Sequence, residues 1–220
     1  HAVAAIENAQ GGAVPEGNVG GGSGMVCHEF KCGIGTASRT VSVDKRAYTV
    51  GALVQANYGL RDSLRIAGVP VGQYLRNDRV YSESMPKPAD TGSIIIVLAT
   101  DAPLLPHQLK RIAKRATMGL ARMGSYAGNG SGDIFLAFST AKPADRDGGP
   151  SSAEFIGNDR IDPLFEASVQ ATEEAIVNAM VAARDVLDGI DGNYAKAIDH
   201  RALIDLLKQH QRYQKPTGMK

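Results

Sequence analysis

Thr91-Gly92-Ser93-Ile94-Ile95-Ile96-Val97 sets a small hydroxyl residue directly after a glycine, at the mouth of an apolar run that continues through Leu98 and Ala99. Four consecutive β-branched residues suit a strand buried on both faces rather than an amphipathic one. A serine at the start of such a strand is held rigidly. Gly92 removes a Cβ, so its carbonyl can take a strained geometry and be approached by the Ser93 hydroxyl. That juxtaposition suits self-cleavage. Attack of Ser93 Oγ on the Gly92 carbonyl turns the peptide into an ester, and hydrolysis leaves Ser93 as a new N-terminus carrying both nucleophile and amine. An α-amine titrates at about 7.7–8.0, against about 10.4 for lysine, so near neutrality it can act as a general base. The other reading of a Gly-Ser pair entering a strand is simply a turn.

Around this stretch the chain has the make-up of a folded domain. Its 220 residues, 43% hydrophobic and 21% charged, can bury one sizeable core, and a single domain over residues 1–220 is expected. A net charge of +1 supplies no field for steering nucleic acid or acidic membranes, and neither partner is expected. The run Ile94–Ala99 is far shorter than the roughly 20 residues that cross a bilayer. Cys27 and Cys32 flank His28 and Glu29 on a segment read as a strand or strand-turn. In extended chain their separation is roughly 17 Å, against a Cα limit of about 7 Å for a disulfide, so neither a bridge nor a shared metal is expected. No second Cys/His cluster exists to complete a zinc site, and no metal or cofactor is expected. Two free thiols lean towards a reducing, cytoplasmic compartment. Because the chain opens at His1, a periplasmic or secreted location stays open.

His1–Gln10 has the pattern of a helix end stopped by Gly11-Gly12, and Asn18–Gly24 is a glycine-dominated loop without the lysine of a phosphate loop. It is expected to pack closely beside the site or to serve as a linker. Tyr48–Asn57 alternates as a strand, and Asn57-Tyr58-Gly59 closes it with turn chemistry. Asn57 is then either a fixed amide donor for a developing oxyanion or an Asx-turn cap. Arg61–Thr91, polar and carrying Pro70, Pro86 and Pro88, is expected to be a long surface connection, accessible over Glu83–Thr91. Pro106–Met123 is a helix with Leu109, Ile112, Ala116 and Leu120 on one face and a solvated basic face opposite. Gly128–Asp133 turns into the apolar strand Ile134–Phe138. Ser131 and Asp133, two apart, face one side in extended chain, as a hydroxyl–carboxylate relay or as the contacts of a turn. After a polar loop over Lys142–Asn158, Ile161–Leu187 keeps helical spacing to a stop near Gly189, with Thr172 interrupting its stripe, and a last helix spans His200–Gln211.

The segments Pro15–Arg39, Tyr48–Gly59, Gly92–Met123 and Gly128–Thr140, in this order, resemble the L-aminopeptidase/D-esterase (DmpA-type) family, including the β-aminopeptidases. The resemblance implies an α/β/β/α sandwich with sheets between helix layers, of the N-terminal-nucleophile kind. It implies a self-processing serine aminopeptidase acting on the N-terminal residue of small peptides, amides or esters, cut between Gly92 and Ser93. Residues 1–92 would be the end of the α-chain and 93–220 the β-chain, assembled as a homo-oligomer of processed heterodimers. It assigns nucleophile to Ser93, oxyanion donor to Asn57, and a supporting hydroxyl and acid to Ser131 and Asp133. Aspartate at 133 is shorter than the glutamate of some relatives. The family precursor is longer, and its N-terminal part, which contributes a tyrosine to the site, has no counterpart here; Thr91 stands where an acidic residue is common. Two other readings remain. An N-acyltransferase resembling ornithine acetyltransferase would use threonine where this chain has Ser93, and a non-catalytic structural fragment would need none of these roles.

Overall fold

The computed structural model describes residues 1–77, 79, 92–141, 152–187 and 194–215. In chain order the elements are α1 (Ala2–Glu7), β1 (Val26–Cys27), β2 (Phe30–Lys31), β3 (Ile34–Val43), β4 (Arg46–Asn57), α2 (Val71–Tyr74), β5 (Ser93–Thr100), α3 (Pro106–Arg122), β6 (Ile134–Ser139), α4 (Asp162–Val181) and α5 (His200–Gln209). A four-stranded sheet runs in the order β3-β4-β5-β6, and β1 and β2 form a separate hairpin. The first two pairings are antiparallel; β5 and β6 are parallel, so α3 serves as the crossover that parallel strands require.

One face of the sheet is covered. Ile94, Ile96 and Leu98 of β5 and Val50, Ala52 and Val54 of β4 turn into the core with Ile112, Ala116 and Leu120 of α3 and Ala171, Ala175 and Ala179 of α4. Thr172 does not interrupt this packing: it is buried against Gly119, whose missing Cβ would lie 2.6 Å from the threonine Cβ, so α3 and α4 meet closely there. The basic face of α3 is less solvated than its pattern suggests. Arg111 and Arg115 stack on Phe165 of α4 at 4.9 and 3.8 Å from the ring centre, and Arg122 pairs with Glu173.

The other face is bare, so the expectation that β5 is buried on both sides is corrected. Ile95 is 39% exposed, and its neighbours on β6, Ile134, Leu136 and Phe138, are 57%, 54% and 44% exposed. The described residues therefore form one four-stranded sheet with a helix layer on one face, beside the β1–β2 hairpin, a mixed α/β half of the expected sandwich. Among them no helix is long and apolar enough to cross a membrane.

Three further expectations change. Cys27 and Cys32 are bridged, with Cα atoms 5.4 Å apart, because the chain does not run extended between them. His28 and Glu29 take positive φ values of 49° and 63° and fold β1 back on β2 as a tight hairpin. The free-thiol argument for a reducing compartment falls with this. Arg61–Asn77, expected on the surface, is packed inside: Arg61, Leu64, Ile66, Val69 and Val71 are buried. The Arg61 guanidinium is satisfied by the carbonyls of His28, Glu29, Leu75 and Asn77 and lies 3.4 Å over the Phe30 ring. Residues 80–91, including the stretch expected to be accessible, lie outside the described residues, as do 142–151 of the polar loop. The helix expected to reach Gly189 ends at Val181: the Asn18 side chain accepts from the Arg184 amide, and Val186 pairs with Ala195. Gly189 itself lies outside the described residues.

His28 makes the hairpin sensitive to acid. It is wholly buried, with Nδ1 2.9 Å from the Leu60 carbonyl and its ring edge-on to Tyr58. Burial, aided by the nearby Arg61 charge and opposed by the Leu60 contact, pushes it down from 6.5 to about 4. The unfolded chain takes up this proton as pH falls through 6.5 and the folded chain only near 4, so stability is lost across that window, by roughly 3 kcal/mol at its acid end. Denaturant midpoints followed between these limits should decline less steeply in His28→Gln than in the parent. Equal slopes would remove His28 from the acid response.

Candidate active site

The sheet topology gathers the site residues at one end. Ser93, the first residue of β5, is the register partner of Asn57, the last residue of β4. Because β6 runs parallel to β5, the loop that feeds it arrives at the same end, bringing Ser131, Gly132 and Asp133 beside Ser93. Gly92 is wedged against the turn after β4. A Cβ at 92 would sit 2.2 Å from the Asn57 carbonyl oxygen and 2.8 Å from Tyr58 Cα, so only glycine fits there.

Ser93 Oγ accepts a hydrogen bond from the Gly132 amide at 2.8 Å. Asp133 Oδ1 accepts two, from Ser131 Oγ at 2.6 Å and from the Ile94 amide at 3.0 Å, so the carboxylate clamps the loop to the residue next to Ser93. Its second oxygen, Oδ2, is buried without a partner among the described residues. Leaving such a group unsatisfied costs about 1–3 kcal/mol or more, so this oxygen is poised to accept a donor. The Ser131 hydroxyl is engaged with Asp133, and the direct contact to Ser93 comes from the Gly132 backbone. Asn57 Oδ1 accepts from the Val26 amide at 3.0 Å. An N–H group requires an acceptor, so this contact fixes which end of the carboxamide is oxygen and leaves the NH2 end to donate.

The glycine-rich Asn18–Gly24 segment is part of the surroundings rather than a linker. Gly21 lies against the side chain of Gln55, two residues before Asn57 on β4. Lys31, almost wholly buried, donates its ammonium to the carbonyls of Gly22, Met25 and Cys32, and burial pushes it down to about 8. Thus the four residues singled out in the sequence share one end of the sheet. Two further contributors, the Gly132 and Val26 amides, are backbone groups with no side-chain signature. Only the glycine-rich spacing around Ser131 hinted at the first.

The fold is that of the N-terminal-nucleophile hydrolases. The L-aminopeptidase D-Ala-esterase/amidase of Ochrobactrum anthropi, described as a prototype for the serine aminopeptidases and a new variant of that fold, superposes with a TM-score of 0.86 at 48% identity, over 94% of this chain and 56% of that one. A β-aminopeptidase of Burkholderia sp. superposes with a TM-score of 0.81 at 48% identity, over 98% and 59%. The chain belongs to peptidase family S58, whose profile matches residues 1–195. In sequence it is 51% identical to β-peptidyl aminopeptidase BapA of Sphingosinicella microcystinivorans, over 96% of this chain and 56% of the relative. The namesake enzyme of Sphingosinicella xenopeptidilytica is 46% identical, over 94% and 54%. The chain thus spans about half the length of the curated relatives it matches.

Proposed function

We propose that this chain is the nucleophile-bearing part of a serine aminopeptidase that activates itself by cleavage between Gly92 and Ser93. The observation that carries the proposal is the grouping at the mouth of β5: a hydroxyl held by the Gly132 amide, beside a glycine that admits no side chain and a carboxylate with one oxygen unpartnered among the described residues. In the first reaction Ser93 Oγ attacks the Gly92 carbonyl, the C–N bond breaks, and water hydrolyses the resulting ester. Ser93 is then an N-terminus. In turnover the same oxygen attacks the carbonyl of the substrate's first residue while the new amine or Ser131 takes its proton and the Asn57 NH2 group stabilises the oxyanion; the C–N bond breaks as that proton passes to the leaving amine, and water then hydrolyses the acyl ester to free Ser93. Asp133 fixes Ser131, and its Oδ2 is available to the new Ser93 ammonium.

The bare apolar face is covered, in this reading, by the second sheet of the sandwich, contributed by chain outside these residues, and processed heterodimers assemble as homo-oligomers. The substrates are small peptides, amides or esters with a free N-terminal residue, β-residues among them. Serine at 93 and the aminopeptidase relatives favour hydrolysis over acyl transfer. A full-length protein containing this chain should release p-nitroaniline from α- or β-aminoacyl anilides and spare their N-acetylated forms; equal rates on both would overturn the aminopeptidase reading. Asn57→Ala should lower kcat by about 10²–10³ with KM little changed, because the donor acts on charge that develops only in the transition state. Turnover within about twofold of the parent would remove Asn57 from the oxyanion site.

A further inference from the structure

The β1–β2 hairpin lies along the end of β4 where Asn57 sits. The Val26 amide holds the Asn57 carboxamide oxygen, Cys27 Sγ is 3.2 Å from the Ala56 carbonyl, and the His28 amide donates to the Tyr58 carbonyl at 2.8 Å. Three successive hairpin residues therefore contact Ala56 and Asn57, the last two residues of β4, and Tyr58 just beyond it. The contact that matters for Asn57 is made by one peptide group, Met25–Val26. Its N–H end points at Asn57, and its carbonyl end accepts from the Cys32 amide at 3.1 Å and from the buried Lys31 ammonium. A peptide is planar, so fixing the carbonyl fixes the direction of the N–H.

The two ends of the hairpin are secured differently. Its tip, His28–Glu29, is held by Arg61. Its base, where Met25–Val26 lies opposite Lys31–Cys32, follows the glycine-rich segment ending at Gly24, which offers little stiffness of its own. What ties the base together is the Cys27–Cys32 bridge, both residues fully buried, and the Lys31 ammonium, which spans Gly22, Met25 and Cys32.

We propose that the Cys27–Cys32 disulfide and Lys31 are positioning residues for Asn57, acting through the Met25–Val26 peptide, whose N–H orients the carboxamide so that its NH2 group donates to the oxyanion. This rests on the reading of Asn57 as the oxyanion donor. Neither side chain need touch substrate: both set the direction of a donor whose misplacement by about 1 Å can cost on the order of 10² in rate.

The test is a double-mutant cycle in the full-length, processed protein. Lys31→Met, and separately Cys27→Ala combined with Cys32→Ala, should each lower kcat by about 10–10²-fold while KM stays within about twofold. In the Asn57→Ala background the same changes should have no further effect, because the group they orient is gone. A general loosening of the fold would instead multiply with Asn57→Ala. Should Lys31→Met fail to fold, the cysteine pair and the parent treated with a phosphine reductant give the same readout. If Asn57→Ala itself leaves turnover unchanged, the oxyanion reading fails. If Asn57→Ala is costly but the cysteine and Lys31 variants keep kcat within about twofold, or multiply with it, the positioning role is overturned.

Discussion

Ser93→Ala should leave the chain uncut at Gly92 and abolish turnover together, because one oxygen is proposed for both reactions. The substitution removes a half-buried hydroxyl that, among the described residues, accepts from the Gly132 amide at 2.8 Å, so the fold should survive, with a stability cost of about 1 kcal/mol. Loss of both activities with a cooperative unfolding transition shifted by no more than that amount separates chemistry from collapse. Ser93→Cys sharpens the test, since a thiol can make the same acyl shift, and cleavage to a cysteine N-terminus should persist at an altered rate. A Ser93→Ala protein that still hydrolyses anilides would show that another residue attacks.

The second large effect belongs to Ser131 and Asp133. The Ser131 hydroxyl donates to Asp133 Oδ1 at 2.6 Å, and the same oxygen accepts from the Ile94 amide, so the two side chains form one unit. Ser131→Ala and Asp133→Asn should each lower turnover by roughly 10²–10⁴, and the double variant should lose little more than the worse of the two. The measurement is made on already cleaved protein, so that slow processing is not mistaken for slow turnover. If both residues merely shape the turn, each substitution costs about 1 kcal/mol of stability and turnover is retained. Losses that are small, or that multiply as independent effects, would leave the Ser93 amine as the general base.

How much of this was legible in the sequence depended on where the determining forces lie. The apolar run of β5 and the helical stripe of α3 are local patterns, and both elements appear within a residue or so of the expected bounds. Asn57, Ser93, Ser131 and Asp133 lie at strand ends that the turn chemistry marks, so their shared location follows once the parallel β5–β6 pairing is made. The β1–β2 hairpin was not legible. Its turn residues, His28 and Glu29, are neither glycine nor asparagine, and they are held at positive φ by Arg61, which lies more than thirty positions away in the chain. The same arginine draws inside a stretch whose polar, proline-bearing composition is that of a surface connection. Its charge is buried because backbone carbonyls surround it, a satisfaction that composition does not encode. β3 has no strand signature, because Gly35, Thr36, Ala37 and Ser38 show no hydrophobic alternation, and its turn into β4, Asp44-Lys45, is again a pair of non-glycine residues at positive φ. The bare face of the sheet has the sequence of a buried one for a simpler reason: an apolar strand face is the same in sequence whether its cover lies in this stretch of chain or elsewhere.

The most direct test of the account is the intact mass and N-terminal sequence of the purified full-length protein after prolonged incubation. The account predicts two associated fragments, one ending at Gly92 and one beginning Ser93-Ile94-Ile95; a single uncut mass would contradict the proposed self-processing mechanism.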